Sequence, residues 1–400
     1  MAECERRDYM EFLLRNRDRE MVKVLTGMRG AGKTTLLAQY IHHLRQSGVP
    51  EGRILYLDLS EPEVQRRFPQ ETLYRYILSR LPGGQPAYIF LDEVQELPDF
   101  ARLADGLFRI RHFDLCLAGS AMDRSLSSLT SLLPGRCRIR TVYPLSFSET
   151  AAGRETPPQD RDLLRYAEGS SLPGLFHKEA LHSALDTILS AALFHELCDD
   201  ASLRTGLLLK ILRYLAEHAG EPVAMQAMET ATGRAGRPLL EKTLRSYLRC
   251  LGEAGLLLTV PSVTISDGKL PEPDGHTVRF FFSDGAMAGL WSRRGRTEWQ
   301  CLCNAAAVEL FRRYGAVETA ASEAGPVDFL TGRREIPVLW QLIPHGDDRD
   351  APQKWQALLA APAACRKIVL TFTPEAFPGA PSVFVRPLLP WFLRGRPASL

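Results

Sequence analysis

The sequence predicts an α/β fold with a parallel sheet that carries helices on both faces. Two observations in residues 1–152 predict it. Short apolar segments of strand length alternate with segments of helical periodicity, and a glycine-rich turn separates the first strand from the first long helix. This alternation is typical of parallel sheets built from consecutive βαβ units.

Five apolar segments are the predicted strands of this sheet. They are residues 21–26, 53–59, 87–91, 113–118 and 137–143. Helical spacing is found in residues 33–46, 72–81 and 97–110. The third strand is a run of large apolar residues, which indicates a central strand that is buried on both faces.

The composition indicates a folded protein without a membrane segment. Hydrophobic residues make up 45% and charged residues 24% of the 400 positions, as in an ordinary chain of two or three domains. The N-terminus is charged and no apolar run approaches the ~20 residues of a membrane span, so we expect a cytoplasmic location. The net charge of +2 neither indicates nor excludes nucleic acid. The eight cysteines lack the paired spacing of a zinc site, which favours reduced thiols.

Residues 27–34, GMRGAGKT, match the phosphate-binding pattern G-x-x-x-x-G-K-[ST], known as Walker A. The glycines let backbone N–H groups point at phosphates, and the start of the following helix adds partial positive charge. Lys33 is expected to reach the β- and γ-phosphates, and Thr34 to bind Mg²⁺ through its hydroxyl. The predicted nucleotide-binding residues are Gly27, Met28, Arg29, Gly30, Ala31, Gly32, Lys33, Thr34 and Thr35. A glycine-rich turn without a ligand is the alternative, and the strand–loop–helix context disfavours it.

The run YIFLDE at residues 88–93 matches the pattern of a Walker B strand. Asp92 would hold Mg²⁺ directly or through water, and Glu93 would orient and deprotonate the attacking water. GTPases of the Ras type usually lack the adjacent glutamate. The pair therefore favours the ATPase class that has an additional strand in its sheet.

The ordered motifs resemble a prokaryotic AAA-type P-loop ATPase family whose members carry a C-terminal domain of unknown function. The matching segments are residues 27–37, 90–95, 118–120, 133–136 and 144–147. The resemblance covers residues 1–150, with weaker matches to residue 345. Family members usually carry two arginines inside the loop, whereas here Arg29 is followed by Gly30. The resemblance implies ATP as the nucleotide, and the chain has no Asn-Lys-x-Asp guanine signature.

Two further catalytic roles follow from the resemblance alone. Ser120 occupies the position of a polar sensor of the γ-phosphate, and a capping serine is the alternative. Arg136 occupies the position of an arginine finger, which would be supplied to a neighbouring subunit of a homo-oligomer. A solvated arginine at a strand edge is the alternative, and Arg138 and Arg140 are close rivals.

A polar, proline-containing segment at residues 153–162 indicates a linker. We expect an ATPase domain at residues 1–152, a helical linker and winged-helix domain at 153–275, and a small α/β domain at 276–400. The winged helix is predicted from helices at residues 207–218, 224–230 and 239–254 and a strand at 256–260. Residues 163–203 are expected to be mostly helical, and Ser170-Ser171 replaces a glycine pair of the family.

The candidate recognition helix of this winged helix is basic. It carries Lys242, Arg245 and Arg249, and Arg234 and Arg237 precede it. Such side chains contact DNA phosphates, but the same spacing is found on any solvated helix face. DNA binding and a structural role, such as contact with a protein partner, both remain open.

The last domain resembles a restriction-nuclease-like fold without its chemistry. Glu309 fits the helix glutamate of such a site and Asp328 fits the aspartate. Leu339 and Gln341 stand where a metal-binding glutamate and a lysine are expected. We expect an inactive nuclease-like domain.

Three hypotheses follow from the sequence. The leading one is an ATPase with ATP and Mg²⁺ as its ligands, in which hydrolysis is coupled to a conformational change. The first alternative is a nucleotide-dependent switch that binds DNA or a protein partner with little or no turnover. The second alternative, an ATP-regulated nuclease, is disfavoured by Leu339 and Gln341.

Overall fold

The computed structural model describes most of the chain in two compact units. The described residues are 6–67, 70–81, 84–110, 112–120, 123–152, 154–175, 205–233, 237–265, 272–322, 324–332 and 336–394. The N-terminal unit comprises Met1–Pro144 with Glu253–Gly255, and the C-terminal unit comprises Leu145–Gly252 with Leu256–Leu400. Within the described ranges, each helix is too short or too polar to cross a membrane.

The N-terminal unit is built on a parallel sheet, which confirms the predicted α/β class. Its strands are β1 (Val22–Thr26), β2 (Ile54–Asp58), β3 (Ala87–Asp92), β4 (Phe113–Gly119) and β5 (Cys137–Thr141). Its helices are α1 (Arg7–Arg15), α2 (Lys33–Gln46), α3 (Pro62–Arg67), α4 (Gln70–Arg80), α5 (Phe100–Phe108) and α6 (Asp123–Leu132). The sequence patterns predicted all five strands, whereas α1, α3 and α6 had no prediction.

The strand order is β2-β3-β4-β1-β5. The additional strand that the Asp92–Glu93 pair favours is therefore present, because β4 lies between β1 and β3. The register pairs Leu25 with Ala118 and Leu91 with Leu117. Parallel pairing brings the carboxyl ends of β1, β4 and β3 to one edge of the sheet, where the two nucleotide motifs end.

Helices cover both faces of this sheet. On one face, Ile77 of α4, Leu107 of α5 and Leu129 of α6 are fully buried in one cluster with side chains of β1, β3 and β4. On the other face, the Tyr40 ring of α2 packs edge-on against Phe90 of β3, with ring centroids 5.7 Å apart. Each large apolar side chain buried in this way stabilises the fold by about 1.5–3 kcal/mol.

The C-terminal unit contains a mixed sheet. Among its described residues, the strand order is β13-β12-β11-β10-β9-β7-β8-β6. The strands are β6 (Val223–Ala224), β7 (Leu257–Thr264), β8 (Glu272–Phe282), β9 (Glu318–Ser322), β10 (Gly325–Thr331), β11 (Val338–Leu342), β12 (Arg366–Thr371) and β13 (Val383–Pro387). The helices are α7 (Phe147–Ala151), α8 (Asp160–Glu168), α9 (Thr205–Glu217), α10 (Met225–Thr232), α11 (Glu241–Glu253), α12 (Gly285–Trp291), α13 (Glu298–Tyr314), α14 (Ala351–Ala360) and α15 (Leu388–Leu393).

The division of the chain differs from the three expected domains. The expected boundary between residues 275 and 276 falls inside β8, and β7 pairs in parallel with β9, with Ser262 opposite Thr319. Strands of the second and third expected domains thus belong to one sheet. Periodicity is a local property, so it does not reveal pairing between strands that are distant in sequence. Most of the helical segment expected at residues 163–203 lies outside the described residues.

The Ser170-Ser171 pair organises the buried start of α12. The Ser171 backbone N–H donates to Oδ2 of Asp284 at 2.6 Å, and both serine hydroxyls donate to the same oxygen. The other oxygen accepts from the Ala286 N–H at 3.1 Å, which makes Asp284 the N-cap of α12. Burial raises the pKa of Asp284, and these donors oppose that shift. The pair therefore has a structural role within the C-terminal unit.

Candidate functional site

The loop between β1 and α2 has the backbone of a phosphate-binding loop. Gly27, Gly30 and Gly32 have φ values of 136°, 83° and 97°, which side chains rarely allow. A Cβ atom on Gly27 would lie 2.2 Å from the carbonyl oxygen of Val142. Gly32 is the N-cap of α2 and provides no capping side chain. The start of α2 is therefore of the kind that favours an anion, because the N-terminus of a helix carries partial positive charge.

Lys33 is the first residue of α2, and its side chain folds back over the loop. Its ammonium group donates to the carbonyl oxygens of Gly27 at 2.9 Å and Met28 at 3.1 Å. It also donates to the hydroxyl of Ser120, at the end of β4, at 2.9 Å. Both Lys33 and Ser120 are buried. The structure thus brings the predicted phosphate-binding lysine and the predicted sensor into contact.

Asp92 is fully buried at the end of β3 and is hydrogen-bonded by Thr34. Its Oδ2 accepts from the Tyr56 hydroxyl at 3.1 Å, and its Oδ1 accepts from the Glu93 N–H at 3.0 Å. Burial raises the pKa of Asp92, and the Thr34 hydrogen bond opposes that shift. A hydroxyl next to a carboxylate is a set of hard oxygen donors that fits Mg²⁺.

Glu93 follows Asp92 in a left-handed backbone conformation, with φ 51° and ψ 45°. Such a conformation is uncommon for a side chain of this size, and it recurs at functional sites. Its carboxylate accepts from the Gln95 amide at 2.5 Å. The carbonyl oxygen of the same amide accepts from the Ser120 N–H at 3.1 Å. Gln95 was not predicted as a site residue, although it closes the run at residues 90–95 that carries the family resemblance.

The other residues predicted to bind the nucleotide differ in their exposure to solvent. Met28 and Ala31 are buried, whereas Arg29, Gly30, Thr34 and Thr35 are exposed. Sequence reasoning missed the buried Arg6, which donates to the Ala31 carbonyl and to the Tyr143 carbonyl, both at 2.7 Å. Arg6 therefore ties the loop to the segment after β5. Nothing in the charged N-terminal sequence distinguishes it from its neighbours.

Arg136 lies where the strands of the sheet begin, whereas Lys33 lies where they end. It directly precedes β5, and its carbonyl oxygen accepts from the N–H of Val22, the first residue of β1. Its exposed side chain lies 3.7 Å from Glu20 and over the Phe108 ring. In a parallel sheet, the amino ends of the strands face away from the edge that carries Lys33 and Glu93. Arg136 thus does not join the site of its own chain.

A cavity of about 670 Å³ also lies at the amino-terminal ends of the strands. It is lined by Glu20, Pro86, Phe108, Phe113 and Arg136, among others. None of the predicted phosphate or metal residues lines it. It is therefore separate from the site around Lys33.

The comparison with protein families agrees with this geometry. The family model described as "AAA domain" matches residues 19–151. This part of the chain is thus similar to AAA domains. The matched residues include the loop at residues 27–34, Asp92, Glu93, Ser120 and Arg136.

One relative aligns with most of the chain, and its description assigns it no function. It is described as "Uncharacterized protein" and comes from Haemophilus influenzae (strain ATCC 51907 / DSM 11121 / KW20 / Rd). It is 26% identical over 344 residues, which cover 84% of this chain and 85% of the relative.

Several solved structures align with parts of this chain at low identity. A Walker-type ATPase of Pyrococcus abyssi aligns at a TM-score of 0.44 and 16% identity, over 72% of this chain and 95% of that one. The Aeropyrum pernix ORC2 protein in its ADP form aligns at 0.32 and 14%, over 68% and 87%. DnaA from Aquifex aeolicus bound to AMPPCP aligns at 0.32 and 14%, over 63% and 89%. Similarities at these TM-scores carry no functional conclusion.

The nuclease-like residues of the C-terminal unit take part in buried ion pairs. Glu309 is paired with Arg312 and, at 2.6 Å, with Arg313. Asp328 lies 3.2 Å from Arg279 and 3.5 Å from Lys354. Within the described residues, no group of three or more His, Cys, Asp or Glu side chains is arranged to hold a metal.

The two substituted positions lie beside Asp328 or in the core. Gln341 accepts from the Asp328 N–H at 3.2 Å and donates to the Pro326 carbonyl at 3.3 Å. Leu339 is fully buried in an apolar cluster with Trp355 and Val369. The structure thus brings Asp328 and Gln341 together. The positively charged side chains of Arg279 and Lys354 lie next to the Asp328 carboxylate.

The basic residues of α11 are exposed. Lys242, Arg245 and Arg249 all face solvent, and Arg245 pairs with Glu241 at 2.7 Å within the helix. Arg237 is exposed just before the helix, and Arg234 lies outside the described residues.

Proposed function

We propose that this protein is a Mg²⁺-dependent ATPase of the AAA type, in which ATP hydrolysis is coupled to a conformational change. One observation carries the proposal. A continuous path of hydrogen bonds runs from Lys33 through Ser120 and Gln95 to Glu93. It joins the phosphate-binding lysine to the candidate base across three neighbouring strands.

The loop and the start of α2 would hold the phosphates of ATP. The positive φ values of the loop glycines would let backbone N–H groups point at the phosphates, and the α2 terminus would contribute partial positive charge. Lys33 would exchange its contacts with loop carbonyls for contacts with β- and γ-phosphate oxygens. Those charge-assisted bonds are stronger than bonds to neutral carbonyl groups.

Thr34 and Asp92 would hold Mg²⁺, because their oxygens already lie within hydrogen-bonding distance of each other. The ion would neutralise charge on the phosphate oxygens during transfer. The Tyr56 hydrogen bond fixes the Asp92 carboxylate from the side of β2. This chain would thus supply an oriented carboxylate and hydroxyl.

Glu93 would accept the proton of the attacking water. It follows Asp92 directly, and its carboxylate is held by Gln95 beside the end of β4, where Ser120 would sense the γ-phosphate. Arg136 would serve the site of a neighbouring subunit, because it lies at the far edge of its own sheet. A homo-oligomer is therefore part of the proposal.

The test is ATP turnover by the wild type and by Glu93→Gln across a range of protein concentrations, with and without duplex DNA. Glu96→Gln is the matched control, because it makes the same charge change on an exposed residue of the same turn. We expect turnover to rise with concentration and to fall by about 100-fold or more in Glu93→Gln only. Equal turnover in all three proteins would reject the assignment of Glu93.

A nucleotide-dependent switch that binds DNA or a protein partner is the second candidate. The order α9, β6, α10, α11, β7, β8 supports a winged helix, and the exposed cations on α11 suit phosphate contacts. Duplex binding that weakens steeply with salt and on Lys242→Ala/Arg249→Ala substitution would favour it. ATP binding without turnover would also favour this candidate over hydrolysis.

An ATP-regulated nuclease has the least support. Arg279 and Lys354 surround the Asp328 carboxylate, where a metal ion would need free oxygen ligands. Mg²⁺-dependent DNA cleavage that is lost in Asp328→Ala would support this candidate.

A further inference from the structure

Gln95 donates one side-chain hydrogen bond and accepts another. Its side-chain nitrogen donates to the Glu93 carboxylate at 2.5 Å, and its side-chain oxygen accepts from the Ser120 N–H at 3.1 Å. Among uncharged side chains, a primary amide is suited to both bonds, because it carries a donor and an acceptor on one rigid plane. The partners of Gln95 thus require the residue type found there.

The turn that carries Gln95 is fixed to the core. It is a single 3₁₀ turn, Val94–Glu96, and its first residue is fully buried against the core of the N-terminal unit. The Glu96 N–H donates to the Glu93 carbonyl at 3.0 Å and closes the turn. Val94 thus anchors the turn between Glu93 and Gln95 to the core.

Ser120, which donates one of the two hydrogen bonds of Gln95, also contacts Lys33 of the phosphate-binding motif. The Ser120 backbone N–H serves Gln95, while its hydroxyl accepts from Lys33. A phosphate that draws Lys33 away from Ser120 changes the surroundings of the same residue that holds Gln95. The effect reaches Glu93 through two hydrogen bonds.

We propose that Gln95 is a positioning residue that fixes the Glu93 carboxylate for attack and links it to Ser120, where the γ-phosphate is sensed. This inference rests on the proposed ATPase function. Gln95 does not need to touch the nucleotide, because it acts through Glu93. Its loss should therefore lower turnover and leave ATP affinity unchanged.

Two substitutions separate the two bonds. Gln95→Glu keeps an oxygen that can accept from the Ser120 N–H, but it sets a negative charge against Glu93 in place of the donor. Gln95→Met is uncharged and of similar length, and it removes both bonds. Gln46→Glu, on the exposed face of α2, is the control for the change of charge.

The experiment measures kcat and the Kd for ATP in each protein, alone and combined with Glu93→Gln. We expect kcat to fall about 10-fold or more in both Gln95 variants, as for a misplaced general base. The Kd should stay within about two-fold of the wild-type value, and Gln46→Glu should behave as the wild type. In the Glu93→Gln background, neither Gln95 substitution should lower the residual turnover further, because residues that act as a unit are non-additive.

Two results would overturn the inference. One is a wild-type kcat in both Gln95 variants. The other is a joint loss of turnover and affinity that adds to the effect of Glu93→Gln, since that pattern indicates only a weakened fold. Failure of the proposed function differs from both, because wild type and Glu93→Gln would then have the same turnover.

Discussion

The ammonium group of Lys33 donates a 2.9 Å hydrogen bond to the hydroxyl of Ser120, which is 87 positions away in the chain. The contact exists because β4 is inserted next to β1, so that the end of β4 lies beside the start of α2. A phosphate bound by Lys33 would therefore lie within reach of Ser120. Lys33 and Ser120 define the centre of the candidate site.

Loss of the Lys33 ammonium should weaken ATP binding. We expect Lys33→Met to raise the Kd for ATP about 10- to 100-fold, since a hydrogen bond to a charged group contributes about 1.5–3 kcal/mol. Isothermal titration calorimetry measures the change. Lys242→Met is the control because that lysine is exposed on α11. Equal ATP affinity in both variants would show that Lys33 does not contribute to nucleotide binding.

Gly27 should tolerate no side chain. In Gly27→Ala, the new Cβ would lie 2.2 Å from the Val142 carbonyl oxygen at a φ of 136°, so the loop must move. We expect a loss of more than about 2 kcal/mol of unfolding free energy in the N-terminal unit. Gly48→Ala also has a positive φ but meets no atom within 4 Å, so its cost should be about 1 kcal/mol.

Urea unfolding can report the two units separately. All five tryptophans lie at position 291 or beyond, so their fluorescence reports the C-terminal unit, while circular dichroism reports both. Gly27→Ala should shift the dichroism transition and leave the fluorescence transition in place. Equal stability losses in Gly27→Ala and Gly48→Ala would contradict the steric argument.

Acid should weaken Mg²⁺ binding through Asp92. Burial raises the pKa of Asp92, so its carboxyl group takes up a proton at a higher pH than the ~3.9 of an exposed aspartate. A protonated carboxyl is a poor metal ligand, so Mg²⁺ affinity should fall as the pH falls toward that raised pKa.

Titration of Mg²⁺ into the ATP complex at several pH values measures this effect. Asp92→Asn should bind Mg²⁺ weakly at every pH and lose the dependence. Asp58→Asn, at the end of the neighbouring strand β2, should keep it. A wild-type affinity that is constant across the pH range would exclude Asp92 as the titrating ligand.

Arg136 should act on a neighbouring subunit. We expect Arg136→Ala to keep its ATP affinity and to lose turnover, because the side chain lies at the edge opposite Lys33. A mixture of Arg136→Ala with Glu93→Gln should then exceed the summed turnover of the separate proteins, since one mixed interface combines an intact Glu93 with an intact Arg136. Arg138→Ala, on the exposed edge strand β5, is the control. A mixture that shows no gain would reject the role in trans.

The sequence by itself determined the local features of this protein. The spacing of glycines, Lys33 and Thr34 predicted the loop at residues 27–34, and apolar runs predicted the strands around it. Both are short-range properties, because a loop conformation or a buried strand depends on neighbouring residues. Helix α2 was predicted at its observed bounds, residues 33–46, for the same reason.

Only the tertiary structure decided which residues meet. The order of the strands brought Ser120 to Lys33, gave Gln95 its two partners and placed Arg136 at the far edge of the sheet. It also joined β7 to β9 across the expected domain boundary and surrounded Asp328 with Arg279 and Lys354. These relationships depend on pairing and packing between segments far apart in the chain, and such contacts leave no periodic signal in the sequence.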